Sequence, residues 1–233
     1  MASEPSASDA AVPPPATTPP APAPAPAPPP PGRRDAVRNY HRGLQAAREV
    51  LGESGADVSM EEIAARAGVG MGTVYRRFAN KDALIDELVR LSLCEALDEA
   101  TQALACPGGE GLEQFLRGLG ALFAAHAKYA HLLLERSADS ATSREIRAAV
   151  QELTSRALAA GTLNPGVTTG DVMALVWGMR GLTETTDEVA PGTWQRFLDI
   201  HLAGLRTPGP LSATPSMSAG QLAALLPRPD KHP

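Results

Sequence analysis

Ser59 to Lys81 reads SMEEIAARAGVGMGTVYRRFANK, and its pattern decides the fold. Ser59-Met-Glu-Glu62 sets a hydroxyl three residues ahead of a carboxylate, a capping box in which each side chain satisfies a backbone N–H left orphaned at a helix start. Ile63, Ala64 and Ala67 supply the buried side of this short helix, and Gly68 stops it. A second short helix, about Met71 to Phe78, follows almost at once. Two short helices joined through glycine, with small alanines where they cross, make a helix-turn-helix. Val69, Val74 and Phe78 bury one side of the second helix. Its other side carries Met71, Gly72, Thr73, Tyr75, Arg76 and Arg77, followed by Lys81. A hydroxyl, a phenol and three cations aimed at one surface suit a phosphate backbone and base edges. The plainer reading is a solvated charged face of a helical bundle. Tyr75 beside two arginines, on a helix of barely two turns, argues against it.

The pattern is helical on both sides of this segment. Upstream, Val37, Tyr40, Leu44, Ala47 and Leu51 recur at 3/4 spacing on one amphipathic helix, closed by the breaks at Gly52 and Gly55. Downstream, Lys81-Asp82 opens a long helix to about Leu104, with Leu84, Leu88, Leu91, Leu97 and Leu104 turned inward, and Cys106-Pro-Gly-Gly109 ends it. Five more helices are predicted near 110–126, 129–137, 142–160, 168–186 and 192–206. Thr168 with Asp171, and Thr193 after Pro191-Gly192, mark two of their starts. No segment shows sustained period-2 alternation, so the fold class is all-α.

Composition trims the usable length. Twelve of the 22 prolines lie between Pro13 and Pro31, and the chain after Thr207 is again rich in Pro, Ser and Ala. The predicted organisation is a disordered Pro/Ala-rich tail over 1–32 and a DNA-binding domain over 33–80. A second helical domain over 81–206, whose role the resemblance below supplies, and a low-complexity tail over 207–233 complete it. The formal net charge is −5, yet residues 33–81 hold nine Arg/Lys against six Asp/Glu, which is +3 and leaves −8 for the rest. A polyanion partner therefore belongs to that segment. Two cysteines, Cys94 and Cys106, exclude a disulfide framework, a cysteine zinc site and a CxxC motif. Glu4 and Asp9 stand where a signal peptide needs basic residues, and no apolar run is long enough to span a membrane. A cytoplasmic protein follows as the expectation. Gly68, Gly70 and Gly72 imitate a dinucleotide loop, but a helix ends at Gly68 and no strand precedes it. No cofactor is expected.

The run from Met60 to Leu88 resembles the DNA-binding domain of TetR-family transcriptional regulators. The carriers are Ile63-Ala-Ala-Arg-Ala-Gly-Val69, the Thr73-Val-Tyr75 triplet, Phe78 and Lys81; the close resemblance spans about Arg33 to Leu88. It implies that Met71 to Phe78 is a recognition helix in the major groove, with Thr73, Tyr75 and Lys81 gripping phosphates. It also implies that Arg76 and Arg77 touch backbone or bases and that Ser59 faces a phosphate. Arg33, Arg34 and Arg38 add backbone or minor-groove contacts. Where the family often has a polar pair this chain has Gly70-Met71, which shifts specificity toward Arg76, Arg77 and DNA shape.

The C-terminal helices resemble the family's effector and dimer region. Asp171 to Leu182 is apolar nearly all round, with Gly178 and Gly181 admitting a close neighbour, and Trp194, Phe197, Leu198, Leu202 and Leu205 form a stripe on the last helix. The family dimerises through its last two helices, here those near 168–186 and 192–206. Phe115, Leu119, Phe123 and Trp177, with His126, Tyr129 and His131 supplying polar groups, are the candidate lining of an effector pocket. His126 and His131 lack a third ligand, so no metal site is assigned. No nucleophile–base spacing argues for catalysis. The expectation is a non-enzymatic dimeric repressor of a double-stranded palindromic operator, released by a small-molecule effector. The alternative is a helical small-molecule carrier or enzyme using the C-terminal pocket.

Overall fold

The structure, a computed structural model, describes residues 31–54, 58–127 and 141–224. Its helices are α1 (Pro31–Ser54), α2 (Met60–Ala67), α3 (Met71–Arg77), α4 (Lys81–Leu104), α5 (Gly111–His126), α6 (Ala141–Ala159), α7 (Thr169–Thr186), α8 (Thr193–Arg206) and α9 (Ala219–Ala224). Among the described residues there is no strand, and the all-α reading stands. The helix expected near 129–137 lies outside the described residues.

Local signals set most boundaries. The Ser59–Glu62 capping box forms, with Ser59 N–H donating to Glu62 Oε2 at 2.8 Å and Glu62 N–H donating to Ser59 Oγ at 3.2 Å. Thr168 and Asp171 repeat it at α7. Asn80 caps α4 by accepting from Ala83 N–H at 2.8 Å, one residue ahead of the Lys81-Asp82 start. Helix α1 runs through Gly52, the first of its two expected breaks, to Ser54, just before the second. Val50 and Leu51 there are buried against α2, and that packing outweighs glycine's roughly 1 kcal/mol disadvantage in a helix.

Two apolar cores result, and α4 belongs to both. Leu44, Ala47, Leu51, Ile63, Ala64, Val74, Phe78, Leu84 and Leu88 lie in the first, built from α1 to α3 and the start of α4. Ala96, Ala100, Ala103, Phe115, Leu116, Leu153, Met179, Leu198 and Leu202 lie in the second. The far half of α4 thus buries alanines where leucines were expected, and Leu97 is only half-buried. Alanine lets α5 and α6 approach the α4 backbone closely. Gly120 does the same on α5: a Cβ there would stand 2.4 Å from the Trp194 ring.

Beyond α8 the chain folds back. Buried Asn164 donates to the carbonyls of Thr207 and Gly209, both at 2.7 Å, and accepts from Gly166 N–H at 2.8 Å. The short helix α9 lies within the stretch read as a low-complexity tail. No helix among the described residues is long and apolar enough to cross a membrane.

Candidate nucleic-acid interface

Gly68 turns the chain between α2 and α3. Its φ of 62° and ψ of 36° are left-handed, and its N–H closes on the Ala65 carbonyl at 3.1 Å. The turn sends α3 off with Val74 buried, Phe78 buried just beyond its end, and Val69 and Met71 packed on the first core. Met71, expected on the partner-facing side, is therefore half-buried and braces the helix instead.

What remains outside is polar and cationic. Tyr75 is 45% exposed, a large phenol left in water, and Arg76 and Arg77, which follow it, are exposed too. Arg76 Nη2 lies 3.4 Å from Thr73 Oγ1, a long contact within the helix. Thr73 and Lys81 are half-exposed, Lys81 opening α4 immediately beyond. Gly70 and Gly72 face open space, since a Cβ on either would meet nothing within 4 Å. The α3 backbone is accordingly bare on its outer side. Ser59 Oγ is engaged with Glu62, donating to its carboxylate at 3.0 Å. The contacts hold the Glu62 carboxyl below its ordinary value, the Ser59 backbone N–H being the largest cause and its hydroxyl the next.

The helix α1 runs behind this face. Arg33 and Arg34 lie in its first turn. Arg38 is exposed and paired with Asp35 at 2.6 Å. Arg66 is engaged by Glu53, which takes both ends of its guanidinium and offsets its charge. Sequence reasoning missed a polar cluster that joins three helices. Tyr40 of α1 donates its O–H to Glu87 Oε1 of α4, and Arg90 donates to the same carboxylate at 2.8 and 2.7 Å. The Arg77 guanidinium stands 4.6 Å from the centre of the Tyr40 ring, which also stacks on Phe78 with centroids 5.9 Å apart. Arg90, burial working against it, and then Tyr40 draw the Glu87 carboxyl down to about 2. Residues 40 and 87 are too far apart for periodicity to pair them.

The residues expected to line an effector pocket are dispersed. Phe115 and Leu119 are core side chains, 0% and 7% exposed. Phe123 is partly buried on the same core and Trp177 is half-buried on α7. His126 is buried, its Nδ1 3.4 Å from Ser92 Oγ and its Nε2 3.4 Å from Glu95 Oε2. Tyr129 and His131 lie outside the described residues. A cavity of about 330 Å³ opens elsewhere, lined by Gly52, Ala127 and, near the end of α7, Glu184, Thr185, Asp187 and Glu188. Among the described residues no group of three or more His, Cys, Asp and Glu is arranged to hold a metal ion.

A helix-turn-helix unit presenting an exposed cationic helix, carried on a larger helical bundle, defines the class of DNA-binding regulators. Residues 44–88 match the family described as bacterial regulatory proteins, tetR family, and residues 107–207 match the C-terminal domain of SbtR-like transcriptional regulators. A TetR regulatory protein from Mycobacterium vanbaalenii is 30% identical with a TM-score of 0.54, over 76% of this chain and 100% of its own. A TetR regulator from Streptomyces coelicolor is 29% identical with a TM-score of 0.54, over 72% and 98%. An HTH-type transcriptional regulator of Staphylococcus aureus is 37% identical over 62 residues, 26% of this chain. That match spans 34% of the relative's length. The chain belongs to the TetR family of transcriptional regulators. It is a DNA-binding regulatory protein and not an enzyme.

Proposed function

We propose that this regulator is a repressor that binds a palindromic operator as a dimer and releases it when a small molecule occupies the C-terminal domain. The observation that carries DNA binding is the outer side of α3: Tyr75 in water beside two exposed arginines, with backbone left bare at Gly70 and Gly72. The contacting residues are Thr73, Tyr75, Arg76, Arg77 and Lys81, with Gly72 permitting close approach. Arg33, Arg34 and Arg38 act from the start of α1, and Ser59 from the α2 N-terminus.

One such unit makes few contacts, so two copies reading half-sites roughly 34–36 Å apart fit the architecture. The outward side of α7 and α8 supports pairing. Ile200 is 56% exposed there, and Gly181 and Gly204 have nothing within 4 Å of where a Cβ would stand. Gly178 is already used within the chain, its Cβ position 3.1 Å from the Phe197 ring. For the effector, the half-buried Phe123 and Trp177 are the side chains left available, Phe123 packing on the core that holds Phe115 and Leu119.

The test is selection by the full chain from a pool of randomised duplexes, followed by binding at graded salt. The expected product is a two-fold symmetric sequence whose affinity falls steeply with salt, because neutralised phosphates release counterions. An enriched sequence without symmetry would remove the dimeric reading. No enrichment and no salt slope would remove DNA recognition through α3.

A further inference from the structure

Arg76 and Arg77 are neighbours in sequence but not in circumstance. Arg76 stands in solvent with one long contact to Thr73 of its own helix. Arg77 lies over the ring of Tyr40, 37 residues earlier in the chain, in α1. That ring is fixed twice, by the hydroxyl donated to Glu87 of α4 and by stacking on Phe78. Glu87 is fixed in turn by the two-pronged grip of Arg90. A cation resting on an aromatic face is held by the ring quadrupole within about 6 Å of the centroid, and the nearby Glu87 carboxylate adds to the attraction. The cluster therefore ties the last turn of a seven-residue helix to both α1 and α4.

We propose that Tyr40 and Glu87 are specificity-determining positioning residues: by holding Arg77 they fix the register in which it meets a phosphate, and so aim Arg76 at base edges. This rests on the DNA-recognition reading above and divides two arginines that the sequence left equivalent. A phosphate contact positions a protein on the duplex without carrying sequence information, while base contacts specify. A loosened Arg77 therefore costs discrimination more than it costs attraction.

The experiment measures affinity of the full chain for two probes. One is the duplex enriched by the wild-type chain from a randomised pool; the other is a scrambled duplex of the same composition. Tyr40→Leu removes the platform, and the ratio of the two affinities is expected to fall roughly tenfold, the scale of one misplaced base contact. Tyr40→Phe keeps the ring and loses only the tie to Glu87, so its ratio should lie between those of Y40L and the wild type. Glu87→Gln removes a negative charge near the interface. Simple electrostatics predicts tighter binding to both probes alike, whereas a positioning role predicts a lower ratio. Arg77→Ala should reduce the salt slope by about one phosphate contact.

The ratio separates positioning from damage. A partly unfolded variant loses active molecules for both probes equally and leaves the ratio where it was. Wild-type ratios in Y40L and E87Q, or an unchanged salt slope in R77A, overturn the inference while DNA recognition survives. A wild-type chain that enriches no duplex overturns the recognition reading itself.

Discussion

Gly68 shows how narrowly a single residue can be specified. Its φ of 62° is a conformation that L-residues avoid, and the Arg42 guanidinium stands 2.9 Å from where a Cβ would be built. Gly68→Ala should cost about 1–2 kcal/mol from the left-handed backbone alone, more if Arg42 cannot swing aside. The expected readout is a fall of several degrees in thermal midpoint. The neighbouring cap is a second residue-scale case. Ser59→Ala removes the acceptor for Glu62 N–H and should cost about 1 kcal/mol; an unchanged midpoint would mean that the first core alone fixes the start of α2. Both features were legible in the sequence because each is local, a glycine at a helix end and a hydroxyl three residues before a carboxylate. Tyr40 with Glu87 was not legible. Tyr40 falls in the apolar stripe of α1, and nothing in local spacing says that its hydroxyl finds a carboxylate 47 residues on.

At the scale of elements, α3 is the anomaly. Seven residues make too short a helix to persist alone in water, and its N-cap Gly70 supplies no side-chain hydrogen bond. Val74, Phe78 and Met71 hold it through packing, so its geometry is borrowed from the first core. Gly72 adds a further cost, since glycine inside a helix is roughly 1 kcal/mol worse than alanine. The free protein has room for a methyl group at position 72. Gly72→Ala should therefore raise the thermal midpoint while weakening duplex binding, because the open space is what a close-approaching duplex would fill. Gain of stability with affinity intact would show that the DNA does not come near this backbone. The helix α4 teaches a different lesson about legibility. Its leucine spacing announced a helix of the right length, but in the far half the buried positions are Ala96, Ala100 and Ala103. Which face a long helix buries depends on how near its neighbours come, and that is decided by side chains on other elements. The dispersed pocket residues have the same cause: apolar spacing marked Phe115 and Leu119 as inward without distinguishing a solid core from a cavity wall.

The described residues form two cores on one shared helix, and the joint between them is polar. Arg48 of α1 reaches Glu95 of α4 at 3.1 Å, and Glu95 in turn lies 3.4 Å from His126 of α5. The first core, the shared helix and the second core thus meet at one carboxylate, with the histidine buried beside it. Burial is the larger influence on His126 and holds its pKa below the ordinary 6.5; Glu95 pulls the other way and Arg48 adds to the depression. In the unfolded chain the same imidazole takes up a proton near 6.5. Just below that pH the unfolded state binds more protons than the folded one, so folding stability rises with pH and is lost on acidification through that window. Thermal midpoints measured from pH 7.5 down to 5 should fall for the wild type. In His126→Gln, which keeps a polar side chain but does not titrate, the fall should be shallower. Glu62, Glu87 and Glu113, whose carboxyls are held below their usual 4.5, contribute stability that is lost only below that value. The carboxylate window therefore lies below the range measured, and the histidine window is read without it. Equal slopes for wild type and H126Q above pH 5 would mean that Glu95 compensates the buried proton fully, and that the joint is indifferent to the charge of its histidine.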